Sequence, residues 1–326
     1  LRLFSRAALI ALVAAVGLGA AYFGLMEHVP LALPARPPAP LPPALDAALR
    51  CDRAAPPEIA LDRDGETGRI RYRRPGRPAR EDALRFVRAD GARARAPAVI
   101  VTPILAGDYT IEKIILDDLS RHGMHAVLVD RRVPAEASLE DLEEALGDMV
   151  AARRAVLDWL ETRDDVDPAR LGAYGVSLGG IVTSMLASVE PKRLRAAIVI
   201  MAGGDMASVL AGSVEPEARE LRARCGAGEG ASAEALAAFE ARARATLRTC
   251  PLALAPFADP REILFVTTRR DTSVPTPCQA RLREALGRPE TISLPTGHYG
   301  AVIYMKTLAK KAREFLKKKF AEPRTS

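Results

Sequence analysis

The sequence predicts an α/β fold built on a mostly parallel sheet with helices on both faces. Two observations carry that prediction. Short apolar runs of about four to seven residues alternate with longer stretches of helical periodicity over most of the chain, the pattern of a parallel sheet covered on both sides. The second is Gly175-Val176-Ser177-Leu178-Gly179-Gly180, a glycine-flanked turn between a strand-like run (Arg170 to Tyr174) and a helical one (Ile181 to Val189). About 270 residues follow the N-terminal segments, enough for one substantial core.

The elements follow in chain order. Arg2 and Arg6 precede a run without charged residues from Ala7 to Met26, and no Lys or Arg follows until Arg36. About 20 such residues suffice to span a bilayer as a helix, and the arginine asymmetry sets the N-terminus in the cytoplasm. Residues 1–29 thus read as a signal anchor, a transmembrane helix that holds the rest extracytoplasmic (periplasmic or cell surface). The rival is a cleaved signal peptide, with Gly19-Ala20-Ala21 offering small residues for cleavage and a secreted product. Residues 30–50 read as a proline-rich linker, with prolines at 30, 34, 37, 38, 40, 42 and 43, extended at roughly 3 Å per residue. Residues 51–326 form the α/β domain. Gly68 to Arg73 and Ala83 to Arg88 alternate apolar and charged residues as antiparallel edge strands do.

The strand Ala98–Thr102, the helix Thr110–His122, the strand His125–Asp130 and the long helix Leu139–Arg163 come next. After the glycine turn lie a strand at 196–201, an insertion at about 203–260, a strand at 262–268, the helix Thr276–Leu286 and the strand Glu290–Leu294. The insertion is rich in Ala, Arg and Glu and reads as a small helical cap over Glu215 to Arg224 and Ala233 to Leu247. The last helix repeats Met305, Leu308, Ala312, Phe315 and Leu316 at helical spacing, so its many lysines form a solvated face.

The chemistry starts at Ser177. A strand–turn–helix context makes Gly-x-Ser-x-Gly a nucleophile elbow, with the hydroxyl held out over a helix N-terminus. A serine needs a base to take its proton and an acid to orient that base. Of four histidines, only His298 follows the serine, in the loop Pro295-Thr296-Gly297-His298-Tyr299-Gly300. His122 and His125 read as structural. The acid is expected after a strand between the two, which selects Asp271 in Asp271-Thr272-Ser273-Val274-Pro275, with Asp205 as its competitor.

In these segments, and in the order of the elements between them over roughly residues 95–320, the chain resembles the α/β-hydrolase-fold serine hydrolases (the esterase, lipase and peptidase superfamily). The resemblance implies an α/β-hydrolase fold and a triad of Ser177, His298 and Asp271. It also implies an oxyanion hole of two backbone amides. Many members carry His-Gly after the strand that supplies one donor; here Val101-Thr102-Pro103-Ile104 stands instead. Proline has no N–H, so the expected donors are Leu178 and Ile104.

The expected function is hydrolysis of a carboxylic ester, thioester or amide through an acyl-enzyme on Ser177, esterase- or lipase-like first and peptidase second. The expected partners are a small-molecule or lipid acyl substrate and, through residues 7–26, the membrane. A non-catalytic binding or scaffold module at the membrane is the alternative class, and an acyltransferase would keep the same triad. The net charge of +6 comes from dispersed arginine; aromatic residues make up 5%, and no nucleic-acid motif accompanies the charge. No Cys/His spacing suits zinc and no glycine-rich phosphate loop occurs, so neither metal nor cofactor is expected. The four cysteines (51, 225, 250, 278) permit two disulfides or four free thiols, with Cys225–Cys250 a bridge that would constrain the cap.

Overall fold

The computed structural model describes residues 26–63, 65–91, 94–105, 110–130, 133 and 136–323. Among these residues, ten strands form one sheet: β1 (Glu27–Val29), β2 (Glu58–Leu61), β3 (Thr67–Tyr72), β4 (Arg80–Val87), β5 (Ala96–Thr102), β6 (His125–Asp130), β7 (Val166–Val176), β8 (Leu194–Ile200), β9 (Ile263–Thr268) and β10 (Glu290–Leu294). Their order is β1-β10-β9-β8-β7-β5-β6-β4-β3-β2. The six strands from β6 to β10 across the centre run parallel, while β2, β3 and β4 form an antiparallel meander at one edge and β1 an antiparallel strand at the other. Burial follows from this placement. β5 and β8 are buried at every position, whereas β3 alternates exposed and buried residues with one face in water.

The helices flank both faces. On one face α3 (Leu139–Glu161) and α4 (Leu178–Val189) share an apolar core with α1 (Pro43–Ala48) and the helices inserted after β8. On the other, α2 (Thr110–Arg121) and α10 (Met305–Ala321) pack on a second core through Leu116, Leu119, Leu308 and Leu316. The long helix α3 starts with a capping box. Ser138 Oγ accepts the Asp141 N–H (3.1 Å), and the Asp141 carboxylate accepts the Ser138 N–H (3.0 Å).

The N-terminal segments differ from expectation. β1 pairs with β10, Glu27 opposite Ser293 and Val29 opposite Thr291, so the sheet begins inside the stretch assigned to the anchor. Residues 30–50 do not hold the domain away from anything; they lie against it. Ala32 N–H donates to Arg288 O (3.1 Å), Ala39 N–H to Pro256 O (3.0 Å), and the Arg36 guanidinium to the carbonyls of Ala255 and Ala285. Leu49 is buried in the first core, and Asp46 pairs with buried Arg154, which also donates to Glu190 (2.7 Å). Proline prevents helix and sheet but not docking. An extended, stiff segment loses little entropy on binding and leaves its peptide groups free for neighbours.

Residues 30–50 are therefore part of the folded unit, and a chain starting at Met26 keeps them. One starting at Cys51 loses Leu49, at a cost of about 2–5 kcal/mol, and its Tm falls by roughly 5–15 °C in calorimetry. Among the described residues no helix is long and apolar enough to cross a membrane. The apolar run proposed as the anchor lies, except for Met26, outside the described residues. All four cysteines are free thiols, so the bridge between Cys225 and Cys250 is absent; the Cys250 thiol donates instead to Gly204 O.

Candidate active site

Ser177 sits between β7 and α4 with φ 57° and ψ −122°, a conformation that side-chain-bearing residues rarely hold. Two glycines make the turn tight enough to impose it. A Cβ on Gly175 would lie 2.0 Å from Gly179 O, and one on Gly179 would lie 2.2 Å from Thr102 O. The Ser177 N–H donates to Ile200 O at the end of β8 (2.9 Å), which ties the elbow to the sheet.

The structure brings His298 and Asp271 to this serine. His298 Nε2 stands 3.1 Å from Ser177 Oγ, and His298 Nδ1 stands 2.8 Å from Asp271 Oδ2. With its proton on Nδ1, the imidazole donates to the carboxylate and leaves Nε2 to accept the serine hydroxyl. His298 opens the 3₁₀ turn Tyr299–Tyr304 after β10, and Asp271 follows β9. Their loops are joined by the Arg270 N–H, which donates to Thr296 O (3.1 Å).

Asp271 is enclosed by donors. Oδ1 accepts the N–H groups of Ser273 (3.0 Å) and Val274 (2.9 Å); Oδ2 accepts Thr268 Oγ1 (2.7 Å) and Gln279 Nε2 (2.8 Å) as well as His298. Burial alone would raise its pKa. The hydrogen bond and charge of His298, with Thr268 and the Val274 amide, outweigh that and hold the carboxyl below its usual range. Asp205 is not placed for this role. It caps α5 (Met206–Gly212) and pairs with Arg244 at 2.8 Å. His122 bonds to the Asp118 carbonyl; His125 accepts the Ala89 N–H on Nδ1 and meets Asp165 O through Nε2, both away from Ser177.

The two expected oxyanion donors fare differently. Leu178 heads α4, where a first-turn N–H has no intrahelical acceptor. The Ile104 N–H is already engaged, donating to Glu112 Oε1 at 2.8 Å. Glu112 is buried, and its Oε2 has no hydrogen-bond partner among the described residues. Of the pair, only the Leu178 amide is without an acceptor among the described residues. Beside the serine, a cavity of about 500 Å³ opens at Ser177 and His298 and descends between α2 and α10.

Known proteins agree with this architecture. The model of the X-Pro dipeptidyl-peptidase (S15) family matches residues 107–254, which hold the elbow but neither Asp271 nor His298. Two uncharacterized proteins of Mycobacterium tuberculosis, Rv2307c and MT2364, are 35% identical over 95 residues, 29% of this chain. That stretch spans only 33% of the length of each relative. Among solved structures, acetyl xylan esterase 1 from Thermoanaerobacterium sp. superposes with a TM-score of 0.58 at 15% identity, over 85% of this chain and 95% of the other. The α/β hydrolase GrgF from Penicillium sp. gives 0.54 at 18% identity, over 82% and 99%. The acylaminoacyl peptidase of Pyrococcus horikoshii gives 0.52 at 14% identity, over 76% and 41%. The chain has the α/β-hydrolase fold.

Within that hydrolase fold, the cap after β8 comprises α5, α6 (Pro216–Arg224), α7 (Ala233–Thr246) and α8 (Pro251–Leu254). It reaches the histidine loop where the Tyr299 hydroxyl donates to the Glu215 carboxylate (2.8 and 2.9 Å). Sequence reading missed Gln279, which is fully buried on α9 (Thr276–Ala285). Its amide donates to Asp271 Oδ2 and Val274 O, and its oxygen accepts Thr267 Oγ1 (2.8 Å). Its place in the first turn of the helix after the acid loop was the available signal, but a surface glutamine looks the same in sequence. A hydrogen bond to a charged group contributes about 1.5–3 kcal/mol. Gln279→Leu is therefore expected to lower kcat about ten- to a hundredfold with KM little changed, as read by steady-state kinetics.

Proposed function

We propose that the chain is a serine hydrolase that cleaves a carboxylic ester or thioester through an acyl-enzyme on Ser177. The observation that carries this reading is the continuous hydrogen-bond line from Ser177 Oγ through His298 to Asp271, at 3.1 and 2.8 Å. Ser177 Oγ attacks the acyl carbon as its proton passes to His298 Nε2. Asp271 accepts the Nδ1–H and stabilises the imidazolium. The Leu178 N–H and the N-terminus of α4 face the developing oxyanion. His298 then protonates the departing alcohol or thiol. Water, deprotonated by the same imidazole, attacks the acyl-enzyme and restores the serine.

An ester takes precedence over a peptide because aliphatic side chains dominate the cavity wall. Amide cleavage is the second reading, favoured by the peptidase family match over residues 107–254. Mixing the protein with excess p-nitrophenyl acetate should release a burst of about one p-nitrophenol per active site before the steady state, the mark of an accumulating acyl-enzyme. A folded protein that releases no p-nitrophenol from any ester of the p-nitrophenyl series, acetyl to decanoyl, rejects the reading. Adding an alcohol acceptor separates hydrolase from acyltransferase, since only the latter yields the new ester as its main product.

Residues 7–26 are proposed as the membrane anchor, with the hydrolase domain on the extracytoplasmic side; Arg2 and Arg6 before an uncharged run support that orientation. In fractionation the full chain should sediment with membranes and the chain from Met26 should not. Equal partition of the two would refute the anchor.

A further inference from the structure

The cavity beside Ser177 is not a shallow bowl under the cap. It is a groove between two helices that run from the site along the strands toward their other end. On α2 its wall is Ile111, Ile114, Ile115 and Leu119, a stripe at helical spacing; on α10 it is Met305, Leu308, Ala309 and Ala312. Tyr174, Val176 and Ile200 of β7 and β8 make the floor. Two turns down, a charged pair enters the wall, with Leu316 lining it about one turn further along α10. Arg313 Nη1 donates to both oxygens of Asp118 at 2.8 and 2.9 Å, and both residues line the cavity. Ile114, Tyr299 and Val302 line the mouth while remaining exposed, Val302 at 59%. Large apolar side chains left in water together mark a surface that meets apolar ligands.

We infer that this groove receives the acyl chain of the substrate and that the chain is an alkyl one of medium length. The inference rests on the hydrolase reading above and deepens it. Ser177 and His298 open into the top of the groove, so an acyl group esterified to Ser177 has its alkyl tail directed along the apolar walls. The seven steps from Ile111 to Asp118 advance about 10 Å at 1.5 Å per residue, as do those from Met305 to Ala312. A zigzag alkyl chain with C–C bonds of about 1.5 Å advances about 1.25 Å per carbon, so about eight to ten carbons reach the ion pair. A longer chain would have to press methylenes against a paired guanidinium and carboxylate, whose charges lose solvation with no compensating bond. The Asp118–Arg313 pair therefore acts as the ruler.

The test is a chain-length series of p-nitrophenyl esters, acetyl to palmitoyl, below their micelle concentrations, with the full chain. Each methylene buried in the groove should raise kcat/KM by up to about fourfold. The gain should stop near eight to ten carbons. Ala309→Phe and Ile115→Trp fill the groove from opposite walls, and each should lower the decanoyl-to-acetyl ratio of kcat/KM at least tenfold. Lys317→Ala, on the exposed side of α10, should leave the ratio unchanged. Using two blocking variants guards against misfolding of either one.

Flat kcat/KM from acetyl to decanoyl overturns the proposal. An unchanged ratio in both folded blocking variants overturns it as well. Failure to turn over any ester, with no fluorophosphonate adduct on Ser177, overturns the hydrolase reading and this inference together. Turnover of the acetyl ester without length dependence removes this inference alone.

Discussion

Ser177→Ala is expected to lower kcat/KM for an activated ester by about 10⁴–10⁶ while leaving the fold intact. The size of the loss follows from the position of the hydroxyl. Its Oγ meets His298 Nε2 at 3.1 Å, and no other hydroxyl or thiol is aligned with that imidazole among the described residues. What survives is the contribution of the Leu178 amide and of substrate binding. Stability should barely change, because the side chain is only half-buried and its one recorded hydrogen bond is to the histidine. A further variant separates strain from chemistry. Ser177→Gly also lacks the nucleophile, but glycine holds φ 57° without steric cost, so it should unfold at a higher temperature than Ser177→Ala. Equal melting temperatures would mean that the elbow stores no strain.

Asp271→Asn is the second large effect, a loss of about 10⁴ in kcat, because the amide holds the imidazole in the wrong tautomer. Asp205→Asn should change the rate by less than about threefold, since its carboxylate serves Arg244 and the cap of α5. Asp271 is held below the ordinary carboxyl pKa of 3.8, chiefly by His298 against the opposing push of burial. A lowered folded pKa means stability that is fully present above about pH 4 and is lost as pH falls through the folded value. Acid unfolding monitored by circular dichroism should begin at higher pH in Asp205→Asn, where the cap is loosened, and Asp271→Asn should lose the contribution of that carboxylate altogether.

The parts of the fold that sequence made legible are those with a short-range physical signature. The parallel strands announced themselves as uninterrupted apolar runs, and His125–Asp130 and Glu290–Leu294 have the bounds their sequences suggested. The elbow was legible because only glycine fits where a Cβ would stand about 2 Å from a carbonyl. His298 and Asp271 were legible through chain order rather than geometry. What escaped depends on contacts between distant segments. Nothing local in residues 30–50 says that Arg36 will find the carbonyls of Ala255 and Ala285, so a proline-rich segment reads as a spacer.

Ile104 is a second case. Its residue type is silent about its amide, and only the fold reveals that Glu112, eight residues on, takes that N–H. Cysteine count likewise allows bridges that the distances between elements decide. Gln279 is the converse, a residue with an unremarkable sequence context whose amide completes the shell around Asp271.

The most direct test of the account is to treat the full chain with a fluorophosphonate and identify the modified peptide by mass spectrometry, with Ser177→Ala in parallel. A stoichiometric adduct is expected on Ser177, absent from the variant and strongly slowed in Asp271→Asn. An unmodified Ser177 in a folded protein, or an adduct that persists in Ser177→Ala, would contradict it.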